Sequence, residues 1–275
     1  MTLSVAPPAM VPGQAAVAPA NNTAIEFKSV SKHFLKDEGV VPVLNDVTLS
    51  VGRGQFVALV GPSGCGKSTL LNLVSGLVRP SAGTVLYDGD PIKTVNSRVG
   101  YVTQRDNLVP WRTVIANLEL PLELRGVARP ERAAHARELI AQVGLSGFEN
   151  HYPGELSGGM RKRVSLARAF IYGAKTLLMD EPFGALDAMT RQALQDEILR
   201  LIETSRTTAL FVTHDLEEAI YLGDRVIGLL PNPGRIGTIA RVDLPRPRNQ
   251  LETREMPEFL RLRRTLFDFI EKAEG

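Results

Sequence analysis

The chain has 275 residues, 44% of them hydrophobic, and a formal net charge of +2, which allows one large core or a core with a small inserted subdomain. So small a charge excludes an electrostatic case for a nucleic-acid partner, and nowhere do the roughly 18 uncharged apolar residues of a membrane-spanning helix run together. The single cysteine, Cys65, excludes an intrachain disulfide and points to a reducing compartment.

In chain order, residues 1–23 are rich in alanine and proline, carry no charge and lack the basic start of a secretion signal, so they read as a disordered tail. Ile25 to Val30 and Asp46 to Val51 have the pattern of strands, and Phe56 to Val60 is a continuous apolar run expected of a buried parallel strand. That run opens into Gly61-Pro62-Ser63-Gly64-Cys65-Gly66-Lys67-Ser68, followed by a helix from Thr69 to Val74. The spacing is that of a phosphate cradle. Glycines aim backbone N–H groups inward, the helix start adds partial positive charge, Lys67 reaches the outer phosphates, and Ser68 offers a hydroxyl to Mg²⁺. Cys65 is either a thiol activated by that helix start or a small buried filler, the second being preferred.

Further strands are expected at Thr84 to Tyr87, Val99 to Val102, Thr176 to Met179, Thr208 to Val212 and Val226 to Leu230, alternating with helical patterns. This order predicts an α/β fold with a mainly parallel sheet covered by helices on both faces, its ligands beyond the carboxyl ends of the strands. Between Gln104 and Ser157 no strand pattern occurs, so helices at Val114 to Leu124 and Glu131 to Val143 form an inserted helical subdomain, set at about residues 105–160. Leu156-Ser157-Gly158-Gly159 then caps a helix, and two glycines at a helix start offer a second anion site. The Arg161-Lys162-Arg163 run reads by default as a solvated helix face.

The strand from Thr176 delivers Asp180 and Glu181 side by side at its end. In phosphate-loop enzymes one such acid steadies Mg²⁺, assigned here to Asp180, which leaves Glu181 to orient or deprotonate a water. His214 ends the Thr208 to Val212 strand, where it can meet a γ-phosphate. Pro257 to Lys272 closes the chain as a helix with Phe259, Leu262, Leu266 and Phe269 on one side, a docking face within the protein or, less economically, for a partner.

Taken together and in this order, the phosphate loop, Gln104, Leu156-Ser157-Gly158-Gly159, Met179-Asp180-Glu181-Pro182, Ala185-Leu186-Asp187 and Thr213-His214-Asp215 resemble the ATPase subunits of ABC transporters, from about Ile25 to about Leu230. The resemblance implies a P-loop NTPase with an antiparallel β portion, spanning about residues 24–243, and a C-terminal extension over 244–275. It also implies two copies that clamp ATP and Mg²⁺ between one phosphate loop, Gly61 to Thr69, and the partner's Ser157, Gly158 and Gly159. On the same ground Gln104 touches Mg²⁺ and water, Lys67, Glu181 and His214 are catalytic, Asp187 joins the two sites, and Phe34 stacks on adenine unless it is merely a core or surface residue. Met160 stands where the familiar signature has glutamine and cannot donate a hydrogen bond.

The segments Leu108-Val109-Pro110-Trp111-Arg112 and Leu244-Pro245-Arg246-Pro247-Arg248 are similar to importer cassettes of the nitrate, sulfonate and taurine group. This implies separate permease subunits, a periplasmic solute-binding protein, and a place at the cytoplasmic face of the membrane. Trp111 either lines the permease contact or packs inside the insertion. A pyrimidine-precursor importer and a soluble ABC ATPase without a permease are the alternatives.

Overall fold

A computed structural model describes residues 22–36, 39–184 and 186–274. The expected tail falls outside the described residues except for Asn22 and Thr23, as does Ala185 of the segment after Glu181.

Two sheets organise the fold. The first is antiparallel, in the order β2 (Gly39–Gly52), β1 (Thr23–Lys36), β4 (Ala82–Tyr87) and β5 (Asp90–Pro91). The second runs β10 (Arg235–Arg241), β9 (Arg225–Leu230), β3 (Phe56–Val60), β8 (Thr208–Val212), β7 (Thr176–Asp180) and β6 (Val99–Val102), with every neighbouring pair parallel except β10 on β9. Strands β3 and β8 are buried along their whole length, yet their residues alternate between two cores. Phe56, Ala58, Val60, Ala209 and Phe211 join one; Val57, Leu59, Leu210 and Val212 join the other. The two-residue period of a strand places these uninterrupted apolar runs at the centre of a three-layer molecule.

Helices cover both faces, as expected, and on one of them the antiparallel sheet shares the cover. One face carries α4 (Gly158–Phe170), α5 (Ala188–Ser205), α6 (Leu216–Leu222) and, after the single turn α7 (Glu252–Glu255), α8 (Pro257–Glu274). The other carries α1 (Lys67–Val74) and, beside it, the antiparallel sheet, whose Ile25, Phe27, Leu49 and Val51 pack into the same cluster as Leu70 and Val74. Strand β10 follows Pro231, where the sequence shows no strand pattern. Its residues are all half-buried or exposed, so no alternation marks it, and pairing with β9 is what makes it a strand.

The insertion consists of α2 (Val114–Glu123), α3 (Arg129–Gln142), a 3-10 turn at Pro153–Glu155 and α4. Its core of Val114, Leu118, Ile140 and Val143 also draws on Val164, Ala167 and Ile171, past the expected end near residue 160. Helix α4 is shared, since its Leu166 and Ala169 pack into the central core instead. At the C-terminus Phe259, Leu262 and Leu266 are buried against Ala219, Ile220 and Leu222, so the apolar stripe of α8 docks within its own chain.

Candidate functional site

Strands β3, β8, β7 and β6 lie side by side and parallel, so the residues just past their carboxyl ends converge on one edge of the sheet. The phosphate loop leaves β3 there. Gly66 caps α1 with φ 92°, and a Cβ on it would meet Leu44 Cδ2 at 2.5 Å, so both backbone and space demand glycine. The Lys67 ammonium folds over the loop, donating to the carbonyls of Gly61 at 2.8 Å and Pro62 at 2.9 Å. Ser63 and Gly64 are exposed, Gly61, Pro62 and Thr69 half-buried. The Cys65 side chain points inward and is fully buried, 3.9 Å from the Lys67 ammonium, and burial pushes its thiol up. It is a filler beneath the loop, so only its main chain can face a phosphate.

Across the edge, the Ser68 hydroxyl donates to Asp180 Oδ1 at 3.0 Å, a contact between residues 112 positions apart. Burial first, and the neighbouring Glu181 charge next, hold the Asp180 carboxyl above its usual range, with Ser68 and Lys67 pulling the other way. The Asp180 carboxylate and the Ser68 hydroxyl, hydrogen-bonded across the strand edge, are oxygen ligands of the kind a hard cation takes. Among the described residues no group of three or more His, Cys, Asp or Glu gathers as a metal centre by itself.

Glu181 sits at φ 45°, the left-handed region that a non-glycine residue seldom adopts, and its N–H donates to Val212 O at 2.9 Å. That turn aims its carboxylate between two side chains from the neighbouring strand ends. Gln104 Nε2 donates to Glu181 Oε2 at 3.4 Å, and His214 Nδ1 lies 3.5 Å from the same oxygen. Gln104 thus meets the acid following Asp180. A small cavity is lined by Glu181 and His214 together with Gly184, Arg191, Thr213, Asp215 and Glu218.

The remaining candidates stand apart. Ser157 caps α4 by accepting from the Met160 N–H at 3.2 Å, and among the described residues no hydrogen bond joins this turn to the phosphate loop. A Cβ on Gly159 would lie 2.7 Å from Thr190 Cγ2, so this glycine lets the start of α4 approach the start of α5. Asp187 caps α5 by accepting from the Thr190 N–H at 3.0 Å, which holds its carboxyl below the usual range. Phe34, paired with Val41 on the β1–β2 hairpin, is exposed beneath Lys32, whose ammonium lies 4.7 Å from the ring centre. Trp111 is 78% exposed, which removes the reading that it packs inside the insertion. Met160 packs against the apolar core of the insertion, a use for which methionine suits better than glutamine.

The basic run on α4 corrects the expected solvated face. Lys162 is buried and donates to the carbonyls of Thr103 at 3.1 Å and Gln104 at 2.8 Å; Arg161 pairs with Asp106 at 3.1 Å; Arg163 reaches Val143 O at 2.9 Å and Glu197 at 3.1 Å. With Arg168 on the carbonyls of Asp106 and Asn107, Lys162 and Arg161 bind the loop that carries Gln104 to α4, while Arg163 ties α4 to the end of α3 and to α5. Asn117, fully buried, fixes the next stretch by bonding Val109, Arg112 and Thr113 main-chain atoms. Neither Lys162 nor Asn117 carries a sequence signal, because a lone lysine or asparagine on a helix reads as solvent-facing.

Residues 44–184 match the ABC transporter family. The chain belongs to that family. Over 232 residues this ABC cassette is 44% identical to the nitrate import ATP-binding protein NrtC of Synechococcus elongatus, covering 83% of this chain but only 35% of that relative. It is 41% identical to the aliphatic sulfonates import ATP-binding protein SsuB of Bacillus anthracis, over 86% of this chain and 95% of the relative. Among solved structures, a dimeric post-hydrolysis ATP-binding cassette bound to ADP and Pi superimposes with a TM-score of 0.72 at 32% identity, over 79% of this chain and 98% of that one. The cassette is thus a P-loop NTPase of ABC type, and among its described residues no helix is long and apolar enough to cross a membrane.

Proposed function

We propose that this cassette is the ATP-hydrolysing subunit of an importer for a small oxyanion, nitrate or an organic sulfonate such as taurine, working at the cytoplasmic membrane face on separate permease subunits fed by a periplasmic binding protein. The observation that carries the reading is the meeting of Gln104 and His214 on the Glu181 carboxylate beside the Ser68–Asp180 pair. Here Ser68 and Asp180, with Gln104 nearby, would hold Mg²⁺, which supplies charge neutralisation at the phosphates. Lys67 exchanges the Gly61 and Pro62 carbonyls for phosphate oxygens, and the loop's N–H groups bind the rest. Glu181 takes a proton from, or orients, the attacking water, while His214 keeps the carboxylate in place and reaches the γ-phosphate.

The Ser157, Gly158 and Gly159 turn lies at a helix start and has no described bond to its own chain's phosphate loop, which fits service to the nucleotide of a second copy. ATP then closes the pair because it binds the closed state better than the open one. Phe34, exposed on its hairpin, stacks on adenine, and exposed Trp111 lies on the permease side of the insertion. The nitrate and sulfonate relatives match at similar identity, 44% and 41%, so the shared oxyanion chemistry is as far as the cargo is taken.

Glu181→Gln tests the core of this reading. The variant should bind MgATP as the wild type does, accumulate as a dimer in its presence, and turn over about 10²–10⁴-fold more slowly, the usual worth of a positioned general base. Turnover close to wild type sinks the assignment. Co-purification with membrane permease subunits tests the importer role.

A further inference from the structure

His214 has an exposed side chain, but the turn that carries it is anchored on both sides. The Thr213 hydroxyl donates to Glu218 Oε2 at 2.6 Å and accepts from the Asp215 N–H at 3.0 Å. Asp215 in turn caps α6, accepting from Glu217 and Glu218 N–H groups at 2.8 and 3.2 Å. Glu218 is 6% exposed, a carboxylate inside the protein that also lines the small cavity shared with Glu181 and His214. Its other oxygen accepts from Gln195 Nε2 at 3.1 Å and lies 3.8 Å from Arg191 Nε.

Gln195, 1% exposed on α5, could present either end of its amide to Glu218, and only the nitrogen end makes a bond. The choice is made from the C-terminal extension. Gln250 Nε2 donates to Gln195 Oε1 at 3.3 Å and Arg254 Nη2 does so at 3.4 Å, which occupies the oxygen and turns the nitrogen toward Glu218. Gln250 and Arg254 are themselves fixed, Gln250 by Asp196 at 2.7 Å and the Gln192 carbonyl at 3.2 Å, Arg254 by Glu217 at 2.5 Å and by the Tyr221 ring. A continuous hydrogen-bonded path therefore leads from residues 250–254 through Gln195 and Glu218 to the residue before His214. Were Glu218 only filling the core, an apolar side chain would do so without the cost of a buried charge.

We propose that Glu218, oriented by Gln195 and by Gln250 and Arg254 of the C-terminal extension, is a positioning residue for hydrolysis, holding the 213–215 turn so that His214 stays on Glu181. The inference rests on the reading of Glu181 and His214 as the hydrolytic pair. It makes the extension, beyond the matched family region, part of the site that sets turnover.

The test uses the full-length chain, with MgATP turnover and binding of a fluorescent ATP analogue measured on Glu218→Gln, on the exchanged pair Gln195→Glu with Glu218→Gln, on Gln250→Ala with Arg254→Ala, and on Glu181→Gln. Glu218 accepts on both oxygens, from Gln195 and from Thr213, whereas the amide of Glu218→Gln can accept on only one, so one of the two anchors is lost and kcat should fall about ten-fold with binding unchanged. The exchanged pair restores a donor facing an acceptor, and gives Gln250 and Arg254 a carboxylate to bond, so it should recover most of kcat. The Gln250/Arg254 variant, altered at half-buried positions that touch no nucleotide, should lose kcat in the same direction. If Glu218→Gln does not fold, the exchanged pair and the Gln250/Arg254 variant carry the comparison. Wild-type kcat in the Gln250/Arg254 variant, or a Glu218→Gln loss that the exchange leaves unrepaired, overturns the proposal. Should Glu181→Gln itself turn over normally, the hydrolytic pair is wrong and the inference falls with it; an inactive Glu181→Gln beside fully active Glu218 variants overturns this inference alone.

Discussion

Gly159→Ala separates what the α4 start does within the chain from what it does for a second copy. The new Cβ would lie 2.7 Å from Thr190 Cγ2, well inside contact distance, and that methyl belongs to a short β-branched side chain on a helix, with few rotamers to retreat into. Overpacking of this kind costs about 1–3 kcal/mol, offset by up to ~1 kcal/mol because alanine favours the helix more than glycine does. The net loss spans about 0–3 kcal/mol, and a value in its middle, about 1–2 kcal/mol, lowers the melting temperature by roughly 2–8 °C for a chain of this size. Thr190→Ala removes the offending methyl while the Asp187 cap, which bonds the Thr190 backbone N–H, is retained. In that background Gly159→Ala should cost less than about 0.5 kcal/mol, a coupling readable by urea denaturation of the four chains. Function should not recover with stability. If the partner's phosphate lies against the Gly159 main chain, the added methyl still blocks it, and the double variant fails to dimerise on MgATP when hydrolysis is stopped by Glu181→Gln. An equal stability cost in both backgrounds refutes the packing argument, and nucleotide-driven dimerisation of the double variant refutes the clamp.

Two further outcomes follow from buried groups. Lys162→Met keeps the methylene stem but leaves the Thr103 and Gln104 carbonyls without their donor. The lost hydrogen bonds and the relieved burial of a charge oppose each other, so stability should change by less than about 2 kcal/mol, while amide exchange across residues 103–107 accelerates. Unaltered exchange would falsify the role given to this lysine. For Cys65, burial raises the thiol pKa, so less thiolate is present at pH 8 than in a free cysteine and its reaction with a disulfide reagent should be slow in the native chain. The rate should climb with pH through that raised pKa and jump on unfolding in guanidinium; rapid reaction of the native protein at pH 8 counters the assignment as filler.

The phosphate loop was legible because its chemistry is local: strand, glycines, lysine, serine and helix occupy consecutive positions from Phe56 to Val74, and backbone geometry alone turns their N–H groups inward. The buried strands were legible for a similar reason, since five apolar residues in a row leave little room for another assignment. Only tertiary structure joined Ser68 to Asp180 across 112 positions, brought Gln104 and His214 to one oxygen of Glu181, and set a second sheet beside the helix on one face. The same holds for β10, for the basic side chains of α4 that turn inward to main-chain carbonyls, and for Glu218, which reads as one more charge on a short helix. The physical reason is shared by all of them. A carbonyl without a donor or a carboxylate without a partner is a property of the folded surroundings, and the side chain that answers it is chosen by position in space, whereas a glycine-rich turn carries its own geometry wherever the chain takes it.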